Sequence, residues 1–234
     1  MAGKLYLIPS FLGSENPTEV FPAFNSEIII GIKHFIVEEE RTARRFLKKI
    51  SPDIDINSLT FHVLNEHSDL KQIGTYLDAC ISEDIGLLSE AGVPCVADPG
   101  SVIVRMAHDK AIIVIPLIGP SSILLALMAS GLNGQNFAFS GYLPISKNER
   151  IKAIRQIENR SFNENQTQIF IEAPYRNNQL FDDIVANAHS DTSLCIACDI
   201  TLPTQIISTK SVKDWKHKKP DLHKRPVIFL LKKG

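Results

Sequence analysis

The residues best suited to chemistry lie in a loop, Ser89–Gly100, that directly follows an apolar segment of the chain. Gly92 permits a positive φ or a close approach of a ligand to the backbone. Pro94 and Pro99 each fix φ and stiffen the loop. Such a loop suits a small ligand that is recognised by shape and by backbone hydrogen bonds, although a plain connector has a similar composition. The sequence contains neither the G-x-G-x-x-G pattern of dinucleotide sites nor the G-x-x-x-x-G-K-[ST] pattern of nucleoside-triphosphate sites.

Carboxylates that follow apolar segments form a second group of candidates. Glu38, Glu39 and Glu40 follow one such segment, and Glu172 follows another in the second half of the chain. A carboxylate in this position can accept a proton or hydrogen-bond a ribose hydroxyl. Acidic residues at the start of a helix also have a purely structural role, because they favour its positive end. Arg176 either pairs with Glu172 or contacts a substrate phosphate.

The segment Leu117–Ser122, with the sequence L-I-G-P-S-S, leads into a predicted helix. Free amides at the start of a helix can bind an anionic group such as a carboxylate. Capping of the helix by Ser121 or Ser122 explains the same residues without any ligand.

A basic segment, Lys210–Arg225, is a candidate for binding nucleic acid. The segment contains many Lys and Arg residues, and its only acidic residues are Asp214 and Asp221. Trp215 in its middle could stack on a base. The formal net charge is only -1, so no global basic field attracts nucleic acid. A solvated loop is the simpler explanation of the segment.

Cys195 and Cys198 form a C-x-x-C pair within the strand-like stretch SLCIACDI. Residues three apart on a strand point to opposite faces, so we do not expect the pair to share a metal. Buried, apolar cysteines are the prediction. The histidines show no metal-binding spacing, and we expect no metal site.

Alternating strands and helices must position these residues. The pattern predicts helices Thr42–Ile50 and Asp69–Ile81 in the first half of the chain. It predicts strands at Lys4–Pro9, Glu27–Ile32, His34–Glu38, Thr60–Leu64, Ile85–Ser89 and Ile112–Pro116. This alternation favours a mostly parallel sheet with helical crossovers. Ligands of such sheets bind at the carboxyl ends of the strands, where the candidate loops lie.

The second half begins with a predicted helix, Ser121–Ser130, which Gly131 terminates, followed by a linker, Leu132–Asn136. The pattern predicts strands at Phe137–Leu143, Gln168–Glu172, Leu194–Asp199, Gln205–Thr209 and Val227–Leu231, and helices at Lys147–Glu158 and Asn177–Ala188. The neighbouring short strands near the C-terminus indicate antiparallel pairing. We therefore predict two α/β domains, residues 1–117 and 118–234.

No segment is predicted to cross a membrane. The apolar stretch between residues 111 and 129 is interrupted by Pro116, Gly119 and Pro120, and each half is much shorter than the roughly 20 residues that a spanning helix needs. The N-terminal sequence lacks the pattern of a secretory signal. The four cysteines suggest no disulfide framework. We expect a cytoplasmic protein.

Several motifs, taken in order, resemble one family. They are LYLIPSFLG, VEEERTARRFL, LLSEAGVPCVADPGSVIVR, VIPLIGPSSILLALMASGL, FSGYLP and IFIEAPYRNNQLFDDI, and together they cover most of the chain. The chain resembles the tetrapyrrole methylase superfamily, and within it the branch that methylates a ribose 2′-oxygen in small-subunit ribosomal RNA. The resemblance implies a homodimer of two-domain α/β subunits with a mixed second sheet. It also implies that S-adenosylmethionine binds in the cleft between the domains.

The resemblance also implies roles for residues. The cofactor-binding positions are Ser89, Glu90, Ala91, Gly92, Val93, Pro94, Asp98, Leu117, Ile118, Gly119, Ser121 and Ser122. The substrate-binding positions are Glu38, Arg41, Tyr175 and Arg176. Glu39 and Glu172 are the candidates for a catalytic base.

The departures from the family pattern fall mainly on the expected substrate side. Residues 11–16 replace an early P-x-G-N-L turn, and Glu39 and Glu40 stand where Asp and Thr are usual. A later R-E-L-T-K segment is replaced by Cys198–Leu202, and the C-terminal extension of longer relatives is missing. Three other functions therefore stay open: methylation of a tetrapyrrole or another small molecule, RNA binding without catalysis, and, last, nicotinamide-dependent oxidation.

Overall fold

The computed structural model describes residues 2–65, 68 and 70–234. The chain divides into two compact units, Met1–Ser121 and Ser122–Gly234. The domain boundary that we place between residues 117 and 118 from the sequence stays a prediction.

The first unit is built on a five-stranded sheet with the order β3-β2-β4-β1-β5. All of its described strand pairs are parallel. The strands are β1 (Lys4–Ile8), β2 (His34–Val37), β3 (Thr60–Val63), β4 (Ile85–Leu88) and β5 (Ile113–Pro116). This confirms the predicted mostly parallel sheet.

Helices pack on both faces of this sheet, because consecutive side chains of its central strands are apolar and point in turn to opposite sides. The helices of the first unit are α1 (Pro17–Val20), α2 (Ala23–Gly31), α3 (Glu40–Ile50), α4 (Leu70–Ile73) and α5 (Ser101–Asp109). On one face, Phe46 and Leu47 of α3 lie in a core cluster with Phe35 and Val37 of β2. On the other face, α5 packs against the strands through Ile103 and its neighbours.

Two predicted elements of the first unit are wrong. The predicted strand Glu27–Ile32 lies largely within α2 (Ala23–Gly31), which buries Asn25 and Ile29, one helical turn apart. Isoleucine runs favour strands locally, but two parallel strands of one sheet need a crossover, and that crossover is usually helical. The predicted helix Asp69–Ile81 is instead divided into α4 and a 3-10 helix, Asp78–Ile81, and its first residue lies outside the described residues.

The second unit contains a mixed five-stranded sheet with the order β6-β7-β10-β8-β9. Its strands are β6 (Phe137–Tyr142), β7 (Thr167–Ile171), β8 (Ser193–Cys198), β9 (Ile206–Ser211) and β10 (Val227–Lys232). β6 and β7 are parallel, and the other described pairs are antiparallel, as the sequence predicts. The helices are α6 (Ser122–Ser130), α7 (Lys147–Asn163), α8 (Asn177–Asn187) and α9 (Val212–Trp215).

The two cysteines of β8 are buried and point to opposite faces of the strand, which confirms the prediction. Cys195 and Cys198 are fully buried free thiols. They lie in separate core clusters on opposite faces of the second sheet. In the described part of the chain, no helix is both long and apolar enough to cross a membrane.

Candidate functional site

The candidate loops of the first unit meet at one edge of its sheet. The order β2-β4-β1 places the carboxyl ends of three strands side by side. The segment after β1 is tied to the loop after β4, because the amide of Ser10 donates a hydrogen bond to the carbonyl of Gly92 over 2.9 Å. The sheet therefore brings the predicted loop Ser89–Gly100 and the carboxylates after β2 to the same edge.

The loop Ser89–Gly100 has an unusual backbone. Gly92, Cys95 and Ala97 have φ angles of 72°, 68° and 58°. Positive φ is uncommon for residues other than glycine and costs about 1–3 kcal/mol at each. A Cβ atom on Gly92 would lie 3.2 Å from the carbonyl oxygen of Pro120. Glycine is therefore required at position 92 both by its φ and by this close approach.

The segment after β5 is held equally firmly. A Cβ atom on Gly119 would lie 2.1 Å from the side chain of Pro9, so only glycine is accommodated there. The buried Asn25 donates a hydrogen bond from its side-chain amide to the carbonyl of Ile118 over 2.7 Å. Leu117 is buried, whereas 74% of Ile118 is exposed. A fixed backbone therefore presents one apolar side chain to its surroundings.

Glu38, at the end of β2, lies within a group of carboxylates. Its carboxyl group shares a hydrogen bond with that of Asp98, and Glu90 lies close enough to repel it. Burial is the largest cause that raises the pKa of Glu38, followed by the charge of Asp98, and the pKa reaches about 7. Asp98 itself accepts a hydrogen bond from the amide of Gly100 over 2.6 Å, which fixes its position. The site thus holds a carboxyl group that gains and loses a proton near neutral pH.

Glu39 and Glu90 have structural contacts at the start of α3. The hydroxyl of Thr42 donates to the carboxylate of Glu90 over 2.8 Å and to that of Glu39 over 3.1 Å. The amide of Glu39 also donates to Glu90 over 3.3 Å. Glu90, which the resemblance assigns to the cofactor, therefore caps α3 from the neighbouring loop.

Glu172 and Arg176 lie in the second unit and form a buried ion pair. The guanidinium of Arg176 donates to the carboxylate of Glu172 over 2.6 Å. This carboxylate is 1% exposed and also accepts from the amide of Ala173 over 2.7 Å. Pairing was one of the two roles open for Arg176. Tyr175, by contrast, is 62% exposed and contacts Arg176 through its hydroxyl.

A pocket of about 260 Å³ opens in the first unit between the segment after β1, the end of β4 and α3. Its lining combines aromatic, hydroxyl and charged side chains and includes Ser10, Phe11, Thr42, Arg45, Phe46, Ser89 and Glu90. Of these, only Ser89 and Glu90 are predicted site residues. Ser10, Thr42 and Arg45 are missed because no motif of the sequence singles them out.

Of the two interpretations of the basic segment, the one in which Trp215 stacks on a base is wrong. Its side chain is 3% exposed, packs edge-on against Phe181, and donates a hydrogen bond to the carbonyl of Leu194 over 2.8 Å. The indole belongs to the core of the second unit, because burial of its large apolar surface outweighs its local charged sequence. In the described part of the chain, no group of three or more His, Cys, Asp or Glu residues is arranged to hold a metal ion.

Comparisons with known proteins agree with this description. No family model matches the chain. The chain is 30% identical over 201 residues to ribosomal RNA small subunit methyltransferase I of Escherichia coli O157:H7, and the match covers 85% of this chain and 66% of that protein. The chain thus spans just under two thirds of the length of this relative.

Two solved methyltransferases have the same fold. The methyltransferase CobJ has a TM-score of 0.65 at 15% identity, and the match covers 100% of this chain and 95% of that chain. The cobalt precorrin-4 methyltransferase CbiF has a TM-score of 0.61 at 13% identity, with coverage of 98% and 94%. The chain therefore has the fold of these methyltransferases.

The structure divides the positions that the superfamily pattern assigns. Glu38, the loop Ser89–Asp98 and the segment Leu117–Ser121 belong to the first unit, and most of them lie at its sheet edge. Glu172, Tyr175 and Arg176 follow β7 in the second unit. The superfamily fold is confirmed, whereas the roles of the individual residues stay predictions.

Proposed function

We propose that this chain is an S-adenosylmethionine-dependent methyltransferase that acts on a ribose 2′-oxygen in small-subunit ribosomal RNA. The likeness to ribosomal RNA small subunit methyltransferase I supports the acceptor. The observation on which the proposal most depends is the rigid edge of the first sheet, where two fixed segments and a carboxyl group with a pKa of about 7 lie together. A homodimer in the cytoplasm is part of the proposal.

The residues present fit the cofactor. The backbone of the loop from Ser89 to Asp98 has positive φ angles at Gly92, Cys95 and Ala97, and Gly92 packs closely against the side chain of Leu12 and the carbonyl of Pro120. The exposed Ile118 provides an apolar surface for an adenine ring. We therefore assign cofactor binding to the loop Ser89–Asp98 and to the segment Leu117–Ser122. Binding in a cleft between two domains stays a prediction.

Methyl transfer requires the protein to position the acceptor and to remove its proton. When bound, the cofactor supplies a methyl group that its sulfonium makes electrophilic. The chain has to hold the acceptor oxygen in line and about 3 Å away and to exclude water. A ribose hydroxyl is a weak nucleophile, so a base that removes its proton accelerates transfer by about 10²–10⁴-fold.

Three carboxylates are candidates for that base, and the raised pKa of Glu38 favours it. A base works best when its pKa is near the operating pH, and the pKa of Glu38 is raised to about 7. Glu39 is exposed and bonded to Thr42, while Glu172 is engaged by Arg176. We therefore propose Glu38 as the base, ahead of the two residues that the resemblance suggests.

The experiment combines cofactor titration with methyl transfer. Calorimetry with S-adenosylmethionine should show one site per chain, and the labelled methyl group should pass to small ribosomal subunits from a strain that lacks this gene. Methylation of a 2′-oxygen protects the neighbouring linkage from alkaline cleavage, which identifies the acceptor atom. Absence of cofactor binding would refute the enzyme class and leave a non-catalytic RNA-binding protein.

A tetrapyrrole acceptor is the second candidate, because CbiF is a precorrin methyltransferase with the same fold. Salt concentration separates the two acceptors. Binding of RNA weakens steeply as salt rises, whereas binding of a small acceptor that makes few ionic contacts weakens much less. Transfer of the methyl group to a free tetrapyrrole, with none to ribosomal subunits, would replace the RNA proposal.

A further inference from the structure

α3 is a strongly basic helix in a chain that is nearly neutral. Between Glu40 and Ile50 it contains three arginines and two lysines, with Glu40 as the single acidic residue. Its apolar side chains are buried, namely Ala43, Phe46, Leu47 and Ile50. Burial of this face fixes the rotation of the helix and turns the basic side chains toward solvent.

Three of the five basic side chains have partners. Arg44 pairs with Glu40, Lys48 donates to the carbonyl of Pro52, and Lys49 pairs with Glu15. The charges of Arg44 and Lys49 are thus partly neutralised within the first unit.

Arg41 and Arg45 differ from the other three. Both are exposed, and neither forms an ion pair or a side-chain hydrogen bond with any residue that the structure describes. They are separated by four positions, so their side chains leave the helix on the same side, about 5–6 Å apart. Two guanidinium groups at this spacing can each hold one phosphate of the same strand, because guanidinium groups bind phosphate in a bidentate manner.

Arg45 also lines the pocket that adjoins the proposed cofactor loop. Ser10 lies in the same pocket, is 5% exposed, and has a hydroxyl without a hydrogen-bond partner in the described structure. A buried hydroxyl normally has a hydrogen-bond partner. The hydroxyl of Ser10 is thus a donor available to a ligand, in a pocket whose lining also includes the unpaired Arg45. Ser89 and Glu90 line this pocket and belong to the proposed cofactor loop, so a ligand of the pocket would lie beside that loop.

We propose that Arg41 and Arg45 bind adjacent phosphates of a single-stranded RNA segment, and that Ser10 donates a hydrogen bond to the strand where it enters the pocket. This inference rests on the proposed function and names the surface that holds its substrate. A single strand is required because a sugar reaches a pocket only when its base is unpaired and can leave the stack. The half-buried ring of Phe11 in the lining is suited to contact such a nucleotide.

The test measures binding of a fluorescein-labelled oligouridylate of about 12 nucleotides by anisotropy, over a range of salt concentrations. In the double variant Arg41→Gln/Arg45→Gln we expect at least a tenfold loss of affinity at low salt. Each lost phosphate contact on a single strand should reduce the slope of log K against log salt by about 0.7, so the slope should fall by about 1.4. Ser10→Ala should weaken binding several-fold without lowering the free energy of unfolding, because its hydroxyl has no partner to lose.

The matched control is Lys152→Gln/Arg155→Gln on α7. Both residues are exposed and form no ion pair with any residue that the structure describes, and the control loses the same charge. An equal loss of affinity in the control, or a larger loss in Lys213→Gln/Lys219→Gln of the basic segment, would overturn the proposal. Calorimetry with S-adenosylmethionine is run on every variant. Cofactor binding without any effect of the α3 variants refutes only this inference, whereas absence of cofactor binding in the wild type refutes the proposed function.

Discussion

At the scale of single residues, we expect the rate of methyl transfer to depend on the protonation state of Glu38. Its carboxyl must be ionised to accept a proton, so the rate of methyl transfer should rise with pH through about 7. Glu38→Gln should lower kcat by about 10²–10⁴-fold and leave cofactor affinity nearly unchanged. The measurement is a pH profile of kcat for the wild type and the variant.

The control for this prediction is Glu27→Gln, which removes an exposed carboxylate from α2. Retention of full activity by Glu38→Gln would return the role of the base to Glu39 or Glu172.

The pH dependence of the free energy of unfolding is a second measure of the Glu38 pKa that is independent of turnover. Because the pKa of Glu38 is raised in the folded chain above its ordinary 4.5, its stabilising contribution is present below about 4.5 and is lost as the pH rises through about 7. Glu38→Gln should therefore flatten this part of the stability profile.

At the scale of elements, α3 depends on a residue from another loop. Glu39 is its N-cap but makes no capping bond of its own, and Glu90 accepts hydrogen bonds from the amide of Glu39 and the hydroxyl of Thr42. A negative charge at the start of a helix contributes about 0.3–1 kcal/mol. Glu90→Gln should lower the free energy of unfolding by about this amount in urea denaturation.

The pH of this measurement matters, because Glu90 also repels Glu38. At pH 5.5 the Glu38 carboxyl is protonated, so the loss of the cap is measured without relief of that repulsion. Glu27→Gln again serves as the matched control, and an equal loss in both variants would mean that Glu90 does not support α3. At higher pH, Glu90→Gln should lower the pKa of Glu38 and shift the pH profile of kcat toward acid.

The strands and the site-bearing loops of this fold are largely predictable from sequence, but some helices are not. The predicted loop Ser89–Gly100 is confirmed because its glycines and prolines determine local backbone geometry. α2 was predicted as the strand Glu27–Ile32 because three isoleucines occur in a row, and the deciding factor is the crossover between β1 and β2, which no local pattern reveals. Trp215 shows the same limit, since its neighbours are charged but its ring lies in the core.

Contacts between distant residues account for what the sequence does not show of the site. Glu38 was predicted as a substrate-binding residue, and its raised pKa arises from burial and from Asp98, 60 positions later. Arg45 and Ser10 carry no motif, and only the arrangement of β1 beside α3 brings them to one pocket. The spacing of motifs in the sequence identifies which loops lie at the edge of the sheet. Tertiary packing decides which side chains at that edge are available to bind or react.

At the scale of the whole molecule, the four free cysteines provide separate probes of the two units. Cys80 belongs to the first unit, and Cys195 and Cys198 belong to the second; all three are buried. Burial raises the pKa of each of these thiols, that of Cys80 to about 11, so they should react with thiol reagents only when their unit opens. The labelling rate of each cysteine, read by mass spectrometry of its peptide, therefore reports the opening of its own unit.

Cofactor binding should change these rates in a way that tests the site assignment. Nearly all of the proposed cofactor residues belong to the first unit, so S-adenosylmethionine at 100 times its Kd should slow labelling of Cys80 in mild urea by about 100-fold, the equivalent of about 2.7 kcal/mol. Cys95→Ser is used throughout, because Cys95 lies in the cofactor loop itself and would report direct shielding instead of opening. An unchanged rate at Cys80, measured while calorimetry shows the cofactor bound, would mean that the first unit does not hold it, and the assignment of the loop after β4 would have to be abandoned.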